Sequence, residues 1–355
     1  MMDNSSYSIV TCTFSQKDEE SEVVNFQSKV AASGFCSDTD NNIEENRDFQ
    51  YKVFVPAGKE HADNGILLLH GLNERTWDKY LPWAEYLCKE TNRPVILFPI
   101  AFHMNRTPSS WYNPRSIMPW VNQRKNEISG LTSSSFFNVA LSSRLSSSPL
   151  RFYISGRESL FNVVQLFKEI ESGAHPLFAE NAQLNIFAYS IGALLSQVLM
   201  LSNPDNLFDR SKFFFFCGGS IFEKMNGISK EIMDKEAYEK IYNFYTGGFS
   251  FKNDYIEAAF KSMVLTSTDK EKRESFFAKA KNRIKAITLK KDIVIPTEGA
   301  IEAFGTDTSK SVISEMDFPF EYTHQNPFPA NKKIAPELLS GAFNSVFSVA
   351  ASFVG

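Results

Sequence analysis

Ala188-Tyr189-Ser190-Ile191-Gly192 holds the residues of this sequence best suited to chemistry. The segment follows a run of strand character, Leu184 to Ala188, and opens a run of helical character, Ile191 to Ser202. A serine on such a strand–turn–helix junction has the setting of a nucleophile elbow. The sharp turn strains the serine and holds its hydroxyl above the sheet edge, where the helix N-terminus favours developing negative charge. Small residues at 188 and 192 let strand and helix approach closely, although the first is Ala where the motif has Gly. Ser-x-Gly alone is a common string, so the context carries the reading. The chemistry would be attack on a carbonyl, and it requires an imidazole to take the hydroxyl proton.

Over roughly residues 50 to 355 the chain resembles the α/β-hydrolase superfamily, in which an acid and then a histidine follow the serine. Ile284 to Leu289 reads as a later strand, continued by Lys290-Lys291-Asp292-Ile293-Val294-Ile295-Pro296, and Asp292 looks like the family's acid. His324 ends Phe320-Glu321-Tyr322-Thr323-His324, after room for one helix and one strand. The resemblance implies that Asp292 fixes the tautomer of His324 and stabilises the imidazolium formed during attack. Singly, Asp292 also suits a turn acid beside two lysines, and His324 a polar residue at a strand end. Their joint order favours the triad. Leu69-His70-Gly71-Leu72-Asn73 resembles the family's His-Gly oxyanion segment, which makes the N–H groups of Leu72 and Ile191 the implied oxyanion hole. Leu72 stands where many lipases and esterases carry a further glycine. His70, Asn73 and Glu74 are read as structural or supporting residues.

Two further residues are candidate substrate contacts. His103 and Arg106 follow the Val95 to Phe98 strand, and such strand ends face the crevice of an α/β sheet. Arg106 could pair with a carboxylate or phosphate; anchoring the loop is the favoured role. His61 in a polar turn and His175 beside Pro176 are expected to be solvated. Phosphate-loop, HExxH and dinucleotide glycine patterns are absent, and neither cofactor nor metal is expected. Cys12, Cys36, Cys88 and Cys217 are too widely spaced for a disulfide framework or a CxxC zinc pair.

The elements that must position these residues read as an α/β alternation. Tyr51 to Val55 and Phe213 to Phe216 add strands, while Trp77 to Glu90, Gly156 to Glu171 and a stretch from Ala300 to near Ile313 read as helices. A closing helix is expected after Asn331. Ala101 to about Leu150 reads as an elaborated loop, and Gly219 to about Asn282 as a helical insertion, with Glu231 to Tyr245 and Asn253 to Leu265 its amphipathic parts. Tyr238, Tyr242, Phe244 and Tyr245 fall in that insertion, packing being their commoner use and an acyl-binding face the sharper one. Residues 1–47 are polar and acid-rich, an arm with one edge-strand segment at Tyr7 to Phe14.

Composition sets the outer bounds. With 355 residues, 43% apolar and 22% charged, the chain can bury a large core. The net charge of −4 gives no electrostatic reason to expect nucleic acid or anionic membrane. Uninterrupted apolar runs stay far below the roughly 20 residues that span a bilayer, and no signal peptide is visible, so the expected location is cytoplasmic. The expectation is therefore an α/β-hydrolase fold, a mostly parallel sheet flanked by helices, with a helical cap near residues 220–282. By resemblance it cleaves a small-molecule ester through an acyl-enzyme. An acyltransferase, peptidase or thioesterase could use the same site, and a silent ligand- or partner-binding relative is the reading from another class.

Overall fold

Runs such as Ile66 to Leu69, Val95 to Phe98 and Phe213 to Phe216 leave no polar face for water, so each must be covered on both sides. The computed structural model, which describes residues 6–17 and 43–355, covers them in one eight-stranded sheet. Its strands are β1 (Tyr7–Ser15), β2 (Asp48–Pro56), β3 (Ala62–Leu69), β4 (Val95–Phe98), β5 (Phe178–Tyr189), β6 (Phe213–Phe216), β7 (Ile284–Leu289) and β8 (Ile313–Met316). The spatial order is β1-β2-β4-β3-β5-β6-β7-β8. The β1–β2 and β2–β4 pairs are antiparallel and all others parallel. Together with helices on both faces, this is the α/β-hydrolase fold.

The helices are α1 (Glu44–Arg47), α2 (Leu81–Thr91), α3 (Pro114–Glu127), α4 (Val139–Ser147), α5 (Leu150–Glu171), α6 (Ile191–Ser202), α7 (Lys235–Thr246), α8 (Tyr255–Ser262), α9 (Lys270–Ala280), α10 (Thr297–Phe304), α11 (Thr306–Val312) and α12 (Pro336–Val354). Strand alternation divides the core between the two faces. Leu67, Ile186, Phe213 and Phe215 pack with α5 and α6, whereas Leu68, Phe187, Phe214 and Phe216 pack with α2 and α12. By length and apolar composition alone α12 could cross a membrane, a helix that the scan for uninterrupted apolar runs does not pick out. Here its Val346, Phe347, Ala350 and Val354 are buried in the core.

Three regions differ from the sequence reading. The stretch expected to be loop between Ala101 and Leu150 contains α3 and α4; Asn113 caps α3 by accepting from the Arg115 N–H at 2.9 Å, with Pro114 at its first position. The expected helix from Ala300 is two helices, because Gly305 at φ 83° breaks it. The insertion after β6 adds α9 to the two expected helices. In the N-terminal arm, β1 forms the expected edge strand; residues 1–5 and 18–42 lie outside the described residues.

Candidate active site

The site forms where β5 ends. Ser190 has φ 56° and ψ −121°, a strained region for a residue with a Cβ, and its N–H donates to Phe216 O on β6 at 3.2 Å. The turn is possible because α6 starts almost against β3: a Cβ on Gly192 would lie 2.8 Å from Leu69 O and 2.9 Å from His70 O. Ala188, fully buried in the strand, is small enough for the same approach from below.

The loop after β7 supplies Asp292. Its Oδ1 accepts from the Val294 and Ile295 N–H groups, both at 2.9 Å, which leaves Oδ2 for His324 Nδ1 at 2.7 Å. A carboxylate only accepts, so Nδ1 carries the proton and Nε2 presents its lone pair. Nε2 lies 2.6 Å from Ser190 Oγ. The side chains of His324 and Asp292 are 2% and 1% exposed, so the chain of hydrogen bonds runs through a nearly dry medium. Tyr189 holds the histidine from below, its ring stacked on the imidazole at 5.6 Å and its hydroxyl donating to His324 O. Gln325, next in the loop, donates to Ser229 Oγ at 2.8 Å and accepts from Lys79 at 3.1 Å.

Beyond β3, Leu72 donates its N–H to no acceptor among the described residues, and Ile191 is the first residue of α6, where an N–H has no intrahelical partner. Both line one cavity with Ser190. His70 fixes this segment: Nδ1–H donates to Gly71 O at 2.8 Å and Nε2 accepts from the Ile100 N–H at 2.9 Å. That pattern needs a neutral ring, and complete burial, followed by the charge of its neighbours, pushes its pKa well below the usual histidine value. Tyr80 braces the same loop by accepting from Gly71 N–H and donating to Glu74 at 2.7 Å, and Glu74 pairs with Lys79. Asn73 reaches outward, donating to Phe137 O at 2.8 Å and Glu231 O at 2.7 Å. The side chains of His70, Asn73 and Glu74 are thus all bonded to the loop itself or to its neighbours.

The cavity at Ser190, about 40 Å³, is walled by Phe152, Phe222, Ile232, Met233, Tyr238 and Ile241, with other apolar groups beside them. A second apolar cavity of about 60 Å³ lies between α5, α6 and α8, and shares Leu72, Ile191 and Phe152 with the first. Of the four aromatics expected in the insertion, Tyr238 faces the Ser190 cavity. Tyr245 is buried in packing, its hydroxyl donating to Pro149 O at 2.8 Å. Phe152 is the wall residue that sequence reasoning missed; one phenylalanine among 33 carries no local signal.

Two sequence readings need correction. Arg106 is fully buried and lines none of these cavities. Its guanidinium donates to Pro99 O at 3.0 Å, Asn46 O at 2.8 Å and Asn162 Oδ1 at 2.7 Å, and lies over the Phe49 ring. Its donors are directed at the loop and α5, so it anchors rather than contacts substrate. His175 is buried, not solvated: Nδ1 accepts from Leu177 N–H at 3.2 Å and Nε2 meets the Tyr51 hydroxyl at 2.7 Å. His103, by contrast, does line the second cavity, with Nδ1 bonded to Ala101 O at 2.9 Å. His61 is exposed, as expected.

Such an arrangement can remove a proton from the serine hydroxyl as it attacks, and can hold a developing oxyanion between two backbone donors. Among the described residues no cluster of His, Cys, Asp or Glu is placed to hold a metal ion. No curated protein sequence matches the chain. Among solved structures it is similar to carboxyl esterase 2 of the mycorrhizal fungus Tuber melanosporum, at 11% identity and a TM-score of 0.49, with 99% of this chain and 87% of that one covered. It is also similar to a hyperthermophilic esterase from the archaeon Pyrobaculum calidifontis, at 10% identity and a TM-score of 0.46, covering 97% and 84%. The model of the family described as "Family of unknown function (DUF6051)" matches residues 5–355, and the chain belongs to that family.

Proposed function

We propose that this protein is a serine hydrolase that cleaves a carboxylic ester through an acyl-enzyme on Ser190. The observation that carries the reading is the unbroken relay from Asp292 through His324 to Ser190, at 2.7 and 2.6 Å, ending on a strained serine at a helix N-terminus. Ser190 Oγ attacks the carbonyl carbon while its proton passes to His324 Nε2, and the N–H groups of Leu72 and Ile191 hold the oxygen that becomes negative. Collapse breaks the ester C–O bond, and the imidazolium returns its proton to the departing alkoxide. Water then attacks the acyl-enzyme, giving a proton to His324, and collapse breaks the bond to Ser190 Oγ, which takes that proton back from the imidazolium as the acid leaves. No step calls for a metal or cofactor.

The apolar cavity at Ser190 supports an apolar group on one side of the scissile bond. Helices α7 to α9, inserted after β6, act as the cap in this reading, with Met225, Ile232, Met233 and Tyr238 supplying its underside. The cytoplasmic location belongs to the same proposal, and the free thiols of Cys12, Cys88 and Cys217 suit a reducing compartment. A silent binding protein is the weaker reading, because such a protein has no use for a hydroxyl within 2.6 Å of a tautomer-locked imidazole. Acyltransferase, peptidase and thioesterase activities use the same relay, and substrate profiling separates them.

The test is covalent labelling by a fluorophosphonate. Wild type should label at Ser190, Ser190→Ala should not label, and His324→Ala should label far more slowly. Folded wild type that does not label and hydrolyses no short ester would overturn the proposal.

A further inference from the structure

The second apolar cavity, about 60 Å³ between α5, α6 and α8, has a position that bears on the substrate. Leu72 and Ile191, whose N–H groups would hold the oxyanion, both line it, whereas Ser190 and His324 do not. From Ile191 it follows α6 past Leu194, Leu195 and Val198. That is about 10 Å of helix, room for a chain of about six carbons. The leaving oxygen must sit at His324 Nε2 to take its proton. The group that runs past the oxyanion donors into this cavity is then the acyl chain.

Two polar side chains of the wall are spent elsewhere. Ser155 donates to Ala101 O at 2.8 Å, and Arg157 donates to both oxygens of Asp254, at 3.0 and 2.5 Å. His103 differs. It is 5% exposed, its Nδ1–H donates to the same Ala101 carbonyl at 2.9 Å, and Nε2 is buried with no hydrogen-bond partner among the described residues. The neighbouring His70 ring, 5.4 Å away, cannot serve it, because both His70 nitrogens are committed to Gly71 O and the Ile100 N–H. Burial lowers the His103 pKa to about 4, so at neutral pH Nε2 is an acceptor that lacks a donor. Its backbone is fixed on both sides: the Ala101 N–H donates to Ser159 Oγ at 2.9 Å, and the His103 N–H to Ile100 O at 3.1 Å.

We propose that this cavity receives the acyl chain and that His103 Nε2 accepts a hydrogen bond from a hydroxyl carried on it, making the preferred substrate an ester of a hydroxy acid. The inference rests on the hydrolase reading above and names its acyl group. The apolar wall takes the methylenes, and the one nitrogen selects a chain with its O–H at the right distance. A plain chain leaves Nε2 buried and unpaired, while a hydroxyl in a cavity without an acceptor gives up its water for nothing. The two cases predict opposite signs.

The test compares ethyl hexanoate with ethyl 3-, 5- and 6-hydroxyhexanoate on the full chain, the acid released being followed by titration at constant pH. At one of these positions the hydroxy ester should exceed the plain ester by about tenfold or more in kcat/KM. His103→Leu, which removes the acceptor, should bring that ratio below one, with circular dichroism and melting temperature checking its fold; if the variant fails to fold, the wild-type ratios decide. A wild type that labels with fluorophosphonate, yet handles the hydroxy ester no better than the plain one at all three positions, overturns the hydroxy-acid inference alone. So does a folded His103→Leu that keeps the preference. A wild type that neither labels nor hydrolyses any of the four esters overturns the hydrolase reading beneath it.

Discussion

The rim of the sheet and the roof above it are held by different physics. At the rim, Ser190, Asp292 and His324 stand on loops whose roots are β5, β7 and the segment after β8, and those roots are locked by fully buried aliphatic and aromatic side chains. The roof, made of α3, α4 and residues 226–246, is stitched by polar contacts. Arg124 on α3 donates to both oxygens of Asp234, at 2.6 and 2.9 Å, and to Glu236 at 2.5 Å. Asn138 donates to Ser133 O and Ser229 O, and the Asp234 N–H donates to Ser142 Oγ at 2.9 Å. Apolar packing is non-directional and tolerates repacking, whereas each stitch depends on one residue type at one place. The rim is therefore built to stay fixed, and the roof to be retuned by few changes.

The largest expected effect breaks the rim's chemistry and leaves its structure alone. Asp292→Asn should keep the Val294 and Ile295 N–H contacts to Oδ1 and lose the charge that orients His324. Steady-state kinetics should show kcat falling by about 10⁴, the scale seen when a triad acid is neutralised, with a melting temperature close to wild type. A loss below tenfold would mean that Asp292 is only a turn residue.

Breaking the roof should do the reverse. In Arg124→Gln the fully buried Asp234 loses its cation, a cost of about 3 kcal/mol for a stranded buried charge. Because the contact joins α3 to α7, the loss should be local. Hydrogen exchange should speed up in 235–246 and leave β5 and β6 protected, while KM rises more than kcat falls. Uniform destabilisation of the whole chain would show that rim and roof are one cooperative unit.

This same contrast explains what was readable. Continuous apolar runs marked β3, β4, β6 and β7, and a small-residue turn between strand and helix marked Ser190, since such patterns are local and periodic. Asp292 and His324 followed from chain order within that frame. Polar stitching leaves no such trace. The α9 segment shows no clear helical alternation of apolar and charged residues; besides burying Phe277 it is fastened by Arg273, whose head donates to Ser262, Thr266 and Thr268 carbonyls. Nothing near Arg273 in sequence announces that role. Arg106 misled for the same reason: its position after a strand end fits a crevice, but its acceptors, Asn46 and Asn162, come from remote parts of the chain.

At the seam between the regions sits Gly192. A methyl group there would press on the carbonyl oxygens of Leu69 and His70, which are backbone and cannot rotate away. Gly192→Ala should cost about 1–3 kcal/mol of stability by overpacking. It should also push α6 away from the Leu72 segment and so widen the oxyanion hole, lowering kcat more than KM. Should urea denaturation and kinetics both match wild type, the close approach of α6 to β3 does not set the site's geometry.

The smallest effect concerns acid sensitivity, and it compares the site with the far edge of the sheet. His175 is held neutral between Leu177 N–H and the Tyr51 hydroxyl, and burial lowers its pKa to about 4. In the unfolded chain it returns to about 6.5. Between those values the unfolded state binds a proton that the folded state refuses, so stability falls as pH drops from about 6.5 to about 4 and is unaffected by this group above that window. The slope from one such group is at most about 1.4 kcal/mol per pH unit. His175→Gln cannot take up that proton in either state. Urea titrations from pH 7.5 to 4 should therefore give a shallower decline than wild type, with the two curves parallel above pH 7. Curves parallel over the whole range would mean that His175 titrates normally in the folded protein, and that this edge of the sheet opens to water where the rim around His324 does not.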